Sequence, residues 1–202
     1  MGAGDTASAV LDLGAVGLPL QAEELFGDAR PLEVELGCGK GRFAVEWAAA
    51  HPEIGLLTVE RARVYLEQAA TRAARRGLAN VRAVHTTAED LLFRCLAAGS
   101  VAAVHVYFPD PWPKKRHLKR RFFRPENVAR IAEVLRPGGL LRVKSDHAGY
   151  AASIAELLDA EPRLAAAPVD EFFAGVPESN FEVKYGREGR AVTRLAACRI
   201  GG

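Results

Sequence analysis

Cysteine is scarce in this 202-residue chain: only Cys38, Cys95 and Cys198 occur. An odd number of widely spaced thiols builds neither a disulfide framework nor a cysteine-based metal site, and it suits a reducing, cytoplasmic setting. No apolar run reaches the roughly 18 residues that a membrane-spanning helix needs. No Lys or Arg precedes Arg30, so the chain does not open like a signal peptide. Internal repeats and long low-complexity tracts are also missing. Strong net charge is absent as well: the formal balance is +2. Affinity for a polyanion would therefore have to come from a local patch rather than from the whole chain. What remains is a globular composition, 49% hydrophobic, long enough for one domain with a real core.

One stretch dominates, Val104 to Arg124, reading VHVYFPDPWPKKRHLKRRFFR. Val104, Val106 and Phe108 alternate with His105 and Tyr107, which is a strand pattern. Pro109, Pro111 and Pro113 then stop it, because proline donates nothing to a ladder and restricts the residue before it. Asp110 and Trp112 are thereby held in a stiff turn at the carboxyl end of a strand, where open α/β sheets bind ligands. Lys114, Lys115, Arg116, His117, Lys119, Arg120, Arg121 and Arg124 follow. An acid and an indole beside a basic run suggest chemistry on a polyanion. The plainer alternative makes the basic run a solvated face and Trp112 a core residue.

Along the chain, residues 1–20 are Gly-rich and weakly patterned and read as largely flexible. A short helix is expected within Pro19 to Phe26. We expect residues 1–30 as a flexible or short-helical segment and 31–202 as a single domain. Strands are expected at Leu32–Leu36, Gly55–Glu60, Asn80–His85, Val101–Tyr107 and Leu140–Lys144. Helices alternate with them: Arg42 to Ala50, a second ending at Gly77, a third capped by Thr86 or Thr87, a fourth opening at Pro125, and a fifth capped by Ser145 or Asp146. Pro137-Gly138-Gly139 reads as a turn. Two last strands, near Leu164–Val169 and Ala191–Ile200, read as a hairpin with a loop-like segment between them. Five strand–helix alternations predict an α/β fold: a mostly parallel sheet with helices on both faces and one antiparallel strand.

The loop after the first strand reads Glu35-Leu36-Gly37-Cys38-Gly39-Lys40-Gly41. Arg42 stands where a dinucleotide fingerprint wants a small residue, and the Gly-x4-Gly-Lys-Ser/Thr spacing of a phosphate loop is not met. Glu60 ends the second strand, where an acid takes ribose hydroxyls in such folds. Glycine loop, Glu60 and Asp110-Pro111 together point to a site for S-adenosyl-L-methionine.

At this point the residues become specific. FPDPWPKKRHLKRR resembles the signature of the bacterial tRNA (guanine-N7-)-methyltransferases, the TrmB family. VELGCGKG, TVE, VKSDH and SNFEVK are similar to that family's other motifs and fall in its order. The resemblance implies a class I, Rossmann-like methyltransferase sheet of seven strands in the order 3-2-1-4-5-7-6. It implies S-adenosyl-L-methionine as methyl donor, S-adenosyl-L-homocysteine as product, and a variable-loop guanine of tRNA as acceptor. Glu35, Gly37, Gly39, Glu60, Thr87 and Asp110 would hold the cofactor, with Asp110 also catalytic. Lys114, Asp146, Ser179, Asn180, Phe181 and Glu182 would hold the substrate nucleotide. Lys115, Arg116, His117, Lys119, Arg120, Arg121 and Trp112 would contact RNA. No metal and no membrane are implied, and the choice between monomer and homodimer stays open.

Three positions depart from the family pattern. Thr87 replaces an Asp or Asn, Ser179 replaces a Thr, and the first residues lack the basic character that relatives often have.

The chemistry asks little of a base. Guanine N7 carries an in-plane lone pair, so attack on a sulfonium methyl needs positioning and stabilisation of growing positive charge. Asp110, Asp146 and Glu182 are the acids for that work. Trp112, Phe122 and Phe181 are candidates to stack on the freed base, with core packing the alternative for each. Lys144 and Lys184 read as part of the same positive rim. His51, His85, His105 and His147 read as structural. The rival readings are a methyltransferase with another acceptor, since Asp-Pro-x-aromatic also serves amino methylation, and a catalytically dead RNA-binding protein. The intact set Glu35, Gly37, Gly39, Glu60 and Asp110 speaks against the latter.

Overall fold

The computed structural model describes residues 9–201. It begins with β1 (Val10–Leu11), α1 (Ala22–Phe26), β2 (Leu32–Leu36), α2 (Arg42–Ala50), β3 (Gly55–Val59), α3 (Arg63–Arg75) and β4 (Val81–Val84). A single turn, α4 (Ala88–Asp90), widens into a π-helical turn at Leu91–Cys95, followed by β5 (Val101–Tyr107). Then come α5 (Pro125–Val134), β6 (Leu135–Ser145), α6 (Ala148–Asp159), β7 (Leu164–Ala166), α7 (Val169–Phe172), α8 (Asn180–Arg187) and β8 (Thr193–Arg199).

The sheet order is β1-β4-β3-β2-β5-β6-β8-β7. Among the described strands only β8 runs antiparallel to its neighbours, β6 and β7. Every residue of β3 and β5 is buried, as expected for central parallel strands covered on both faces. Alternation splits β5 between two cores. Val104 and Val106 join Val128, Ile131, Tyr150 and Ile154 from α5 and α6. Tyr107 points to the other face and joins Phe43 and Trp47 from α2. Pro125 opens α5 as its first residue, where a missing N–H costs nothing.

The differences from expectation have local causes. An eighth strand appears because β1 pairs in parallel with β4 at the sheet edge. Two residues leave no readable period in a sequence. Residues 1–8, part of the segment read as flexible, lie outside the described residues. Leu20, at the end of that segment, is fully buried, with its N–H bonded to the Cys95 carbonyl at 2.8 Å. The Pro137-Gly138-Gly139 turn is absorbed into β6: Leu135 pairs with Val101, and pairing resumes at Leu140 opposite Ala103. The cap of α6 is His147, not Ser145 or Asp146; its Nδ1 accepts from the Tyr150 N–H at 3.1 Å. The final hairpin does contain helices. The strand expected over Leu164–Val169 stops at Ala166, and α7 and α8 occupy the segment read as loop.

Candidate active site

The carboxyl ends of β2, β3 and β5 meet around the glycine loop. The loop folds back on β3, with the N–H groups of Gly37 and Cys38 donating to the Val59 carbonyl at 2.9 and 3.1 Å. Gly37 and Gly39 have φ of +83° and +51°, which side chains rarely adopt. A Cβ at either would meet nothing within 4 Å, so the backbone there faces open space that a ligand can fill.

Two clefts meet at Gly37. The first, of about 460 Å³, is lined by Glu60, Thr87, Asp110, Trp112, Arg120 and Phe122, among others. The second, of about 390 Å³, is lined by Glu35, Gly39, Lys40, Tyr107, Asn180 and Phe181, and by Ser179 and Lys184. The residues singled out from sequence for the cofactor thus gather on both sides of one loop.

Each has a distinct setting. Glu60 ties the loop to the next helix: its carboxylate accepts from the Gly39 N–H at 3.0 Å and the Ala62 N–H at 2.8 Å. Thr87 caps α4 by accepting from the Asp90 N–H at 3.0 Å. A hydroxyl that accepts there still has its own proton to donate. Glu35 is almost fully buried, and Thr58 Oγ1 donates to it at 3.0 Å. Burial pushes its pKa up to about 8, so the acid is mainly neutral at pH 7.

The Pro-rich turn is strained and braced. Phe108 and Trp112 have φ of +56° and +39°. For non-glycine residues such backbone costs on the order of 1–3 kcal/mol each and persists only where the surroundings enforce it. Five contacts do so. The Phe108 N–H donates to the Lys144 carbonyl at 2.8 Å. Arg121 Nε donates to the Pro111 carbonyl at 2.8 Å while its guanidinium lies 4.4 Å from the Tyr150 ring. Arg120 covers Trp112 at 5.0 Å, and His117 meets the same indole edge-on at 5.7 Å. Trp112 is therefore half-buried beneath its own basic loop, and Arg121 braces the turn. Asp110, Lys114, Lys115, Arg116 and Lys119 are exposed. Phe123 is core, and Phe122 is half-buried at the cleft wall.

The three acids singled out for charge stabilisation are not equivalent. Glu182 is buried and forms an ion pair with Lys144 Nζ at 2.6 Å. It also completes a reciprocal cap with Ser179, accepting from the Ser179 N–H at 3.0 Å while its own N–H donates to Ser179 Oγ. Lys144 is 1% exposed, so it is not part of a positive rim; burial lowers its pKa, and Glu182 works against that. Asp146 is held by Arg190 at 2.5 Å. Asp110 alone of the three has no ion-pair partner among the described residues.

Phe181 is exposed at the mouth of the second cleft, stacked at 5.8 Å on Tyr185 and beside Phe108. Sequence reasoning missed Tyr107, whose hydroxyl is 2.9 Å from His105 Nδ1 while His105 Nε2 is 2.8 Å from Glu33. It also missed Arg190. The spacing Ser-x-x-Glu at 179–182 is a capping-box pattern that could have signalled α8, which the sequence reading took for a loop.

Comparison with known proteins agrees with this geometry. Residues 29–195 match a family described as "Putative methyltransferase". The tRNA (guanine-N(7)-)-methyltransferase of Nocardia farcinica (strain IFM 10152) is 43% identical over 194 residues, covering 90% of this chain and 72% of that protein. The enzyme of the same name from Mycobacterium avium (strain 104) is 41% identical over 182 residues, covering 89% and 70%. Among solved structures, the 16S rRNA methyltransferase KamB superposes with a TM-score of 0.63 at 20% identity, covering 89% of this chain and 92% of that one. At that identity the likeness speaks for the fold. No helix among the described residues is long and apolar enough to cross a membrane. With its fold, its glycine loop and relatives above 40% identity in agreement, the chain belongs to the tRNA (guanine-N(7)-)-methyltransferase family.

Proposed function

We propose that this chain methylates N7 of a variable-loop guanine in tRNA. S-adenosyl-L-methionine supplies an electrophilic methyl on a sulfonium. The guanine N7 lone pair forms the new C–N bond as the S–CH3 bond breaks, and that electron pair stays on sulfur, leaving S-adenosyl-L-homocysteine. No proton moves in this step, so no general base is required.

The residues divide the work. Gly37 and Gly39 give the cofactor close access to backbone, and Glu60 and Thr87 offer polar atoms to its nucleoside part. Glu35 sits where a cationic amine would ionise it. Asp110 faces the purine ring as it becomes cationic and lowers the barrier by charge stabilisation. Trp112 and Phe181 flank the clefts as stacking surfaces, and Asn180 and Lys114 offer hydrogen bonds to the nucleotide. Ser179, Asp146 and Glu182 support the site through α8 and its ion pairs. A tRNA acceptor places the activity in the cytoplasm.

The observation that carries this reading is the exposed, unpaired Asp110 on a strained turn between a cofactor-sized cleft and a basic loop. The test is methyl transfer from labelled S-adenosyl-L-methionine to unmodified tRNA, with the product nucleoside identified. N7-methylguanosine is the expected product; a methylated amino group instead would overturn the acceptor assignment.

A further inference from the structure

The basic loop is not the only cluster of free cations. Gly41 has φ of +73°, and a Cβ there would lie 2.4 Å from the Ala69 Cβ. This close approach seats the start of α2 on α3, and it sets Arg42, the next residue, near Arg72, one turn past Ala69. A groove of about 390 Å³ results, lined by Arg42, Arg72, Arg75, Arg76, Glu46 and Asn180, together with Val45. Glu46 is already engaged by Arg42 at 3.3 Å.

Arg72, Arg75 and Arg76 are exposed and share one helix face through i,i+3 and i,i+4 spacing. Their guanidinium groups have no partner among the described residues. Positive charge at a helix end complements its dipole, but like charges at this spacing repel one another, and the groove's one acid is taken. The fold gives no use for all three.

Position supplies one. Arg42 and Asn180 line both this groove and the second cleft. Gly37 is common to the second and first clefts, and Arg120 of the basic loop lines the first. Shared walls therefore set five features in a row: arginine groove, second cleft, Gly37, first cleft, basic loop. A polyanion that delivers a base into the middle of that row has cations on both sides.

We propose that the α2–α3 groove is a second phosphate-binding surface. It grips the tRNA backbone on the side of the target nucleotide opposite the basic loop. Arginine suits the role, since its planar fork meets phosphate oxygens in pairs. The inference rests on the tRNA reading above.

The test compares the wild type with R72A/R75A/R76A and R72K/R75K/R76K, measuring unmodified-tRNA affinity across salt concentrations and KM for tRNA in methyl transfer. The alanine variant is expected to bind tRNA about tenfold more weakly or worse near physiological salt, with the log–log salt slope reduced by about two to three. Its affinity for S-adenosyl-L-homocysteine should be unchanged. The lysine variant should keep most of the slope, which separates charge from local packing. If the alanine variant fails to fold, Arg75→Gln alone should lower the slope by about one. A wild type that methylates tRNA while the alanine or glutamine variant shows unchanged affinity and slope overturns the groove alone. A wild type that methylates no tRNA, yet binds it with a groove-dependent slope, overturns the acceptor reading and leaves the groove standing.

Discussion

The two sides of the site that meet at Gly37 hold their candidate charge-stabilising acids in opposite ways. On the first side, Asp110 stays exposed and unpaired, held out on a turn with two positive-φ aromatics. Behind the second, under its lining residues Ser179 and Tyr107, Glu182 and Lys144 are buried against each other, and Asp146 is bound by Arg190. Asp110, Lys144, Asp146 and Glu182 all belong to motifs that resemble the family's, so motif membership does not separate chemistry from scaffolding. Burial and pairing do. A carboxylate already neutralised at 2.6 Å by a buried lysine has little field left for a growing purine cation.

The comparison can be broken most forcefully at the buried pair. Lys144→Met removes the buried partner of the Glu182 carboxylate, leaving it Arg194 at 3.3 Å and the Ser179 N–H, and should cost about 3 kcal/mol in denaturant unfolding, whereas Lys144→Met with Glu182→Gln should recover much of that. Equal losses in the single and double variants would mean that the pair is not what the lysine supports. Next in size, Asp110→Asn should leave folding and S-adenosyl-L-homocysteine binding intact while lowering turnover by about 10²–10³-fold. Retention of most turnover with both ligands bound would remove the charge role.

Glu35 gives a pH-dependent test. Its folded pKa of about 8 lies above the 4.5 of the unfolded group, so the folded state keeps the proton longer. The contribution of Glu35 to the stability of the ligand-free protein should be greatest below pH 4.5 and fall, by about 1.4 kcal/mol per pH unit, until pH 8. Glu35→Gln should flatten that slope. If a cationic ligand ionises Glu35, binding at pH 7 should also release a proton, which calorimetry in buffers of different ionisation enthalpy reads directly. The smallest effect belongs to the cap of α8: Ser179→Ala should lower stability by about 1 kcal/mol and raise KM for tRNA without changing cofactor affinity.

How legible the molecule is in its sequence follows the same division. β2, α2 and β5 match their expected bounds because buried apolar runs flanked by Gly and Pro leave few alternatives. The first cleft is legible for a related reason: Pro109, Pro111 and Pro113 constrain the backbone locally, so Asp110 needs no distant partner to find its place. The second cleft depends on pairings across 38 positions, such as Lys144 with Glu182, which no local pattern reveals. There Gly175, Pro177, Gly186 and Gly189 suggested a loop, and the capping box at Ser179 was the one local sign of a helix. His147 shows the limit in miniature. Ser145, Asp146 and His147 all can cap, and only tertiary packing selects the imidazole.

β8 carries a consequence for how the protein is made. It is the last strand of the described chain, yet it lies between β6 and β7 rather than at an edge. A ribosome releasing this chain from its amino end can lay down β1 through β6 as they emerge. β7 then has no place to dock until Thr193–Arg199 has been synthesised. Until that moment the growing domain shows an unpaired edge along β6, which invites pairing with other chains. Closure of the sheet therefore waits for Thr193–Arg199, and a nascent chain stalled short of β8 should be caught by chaperones or aggregate.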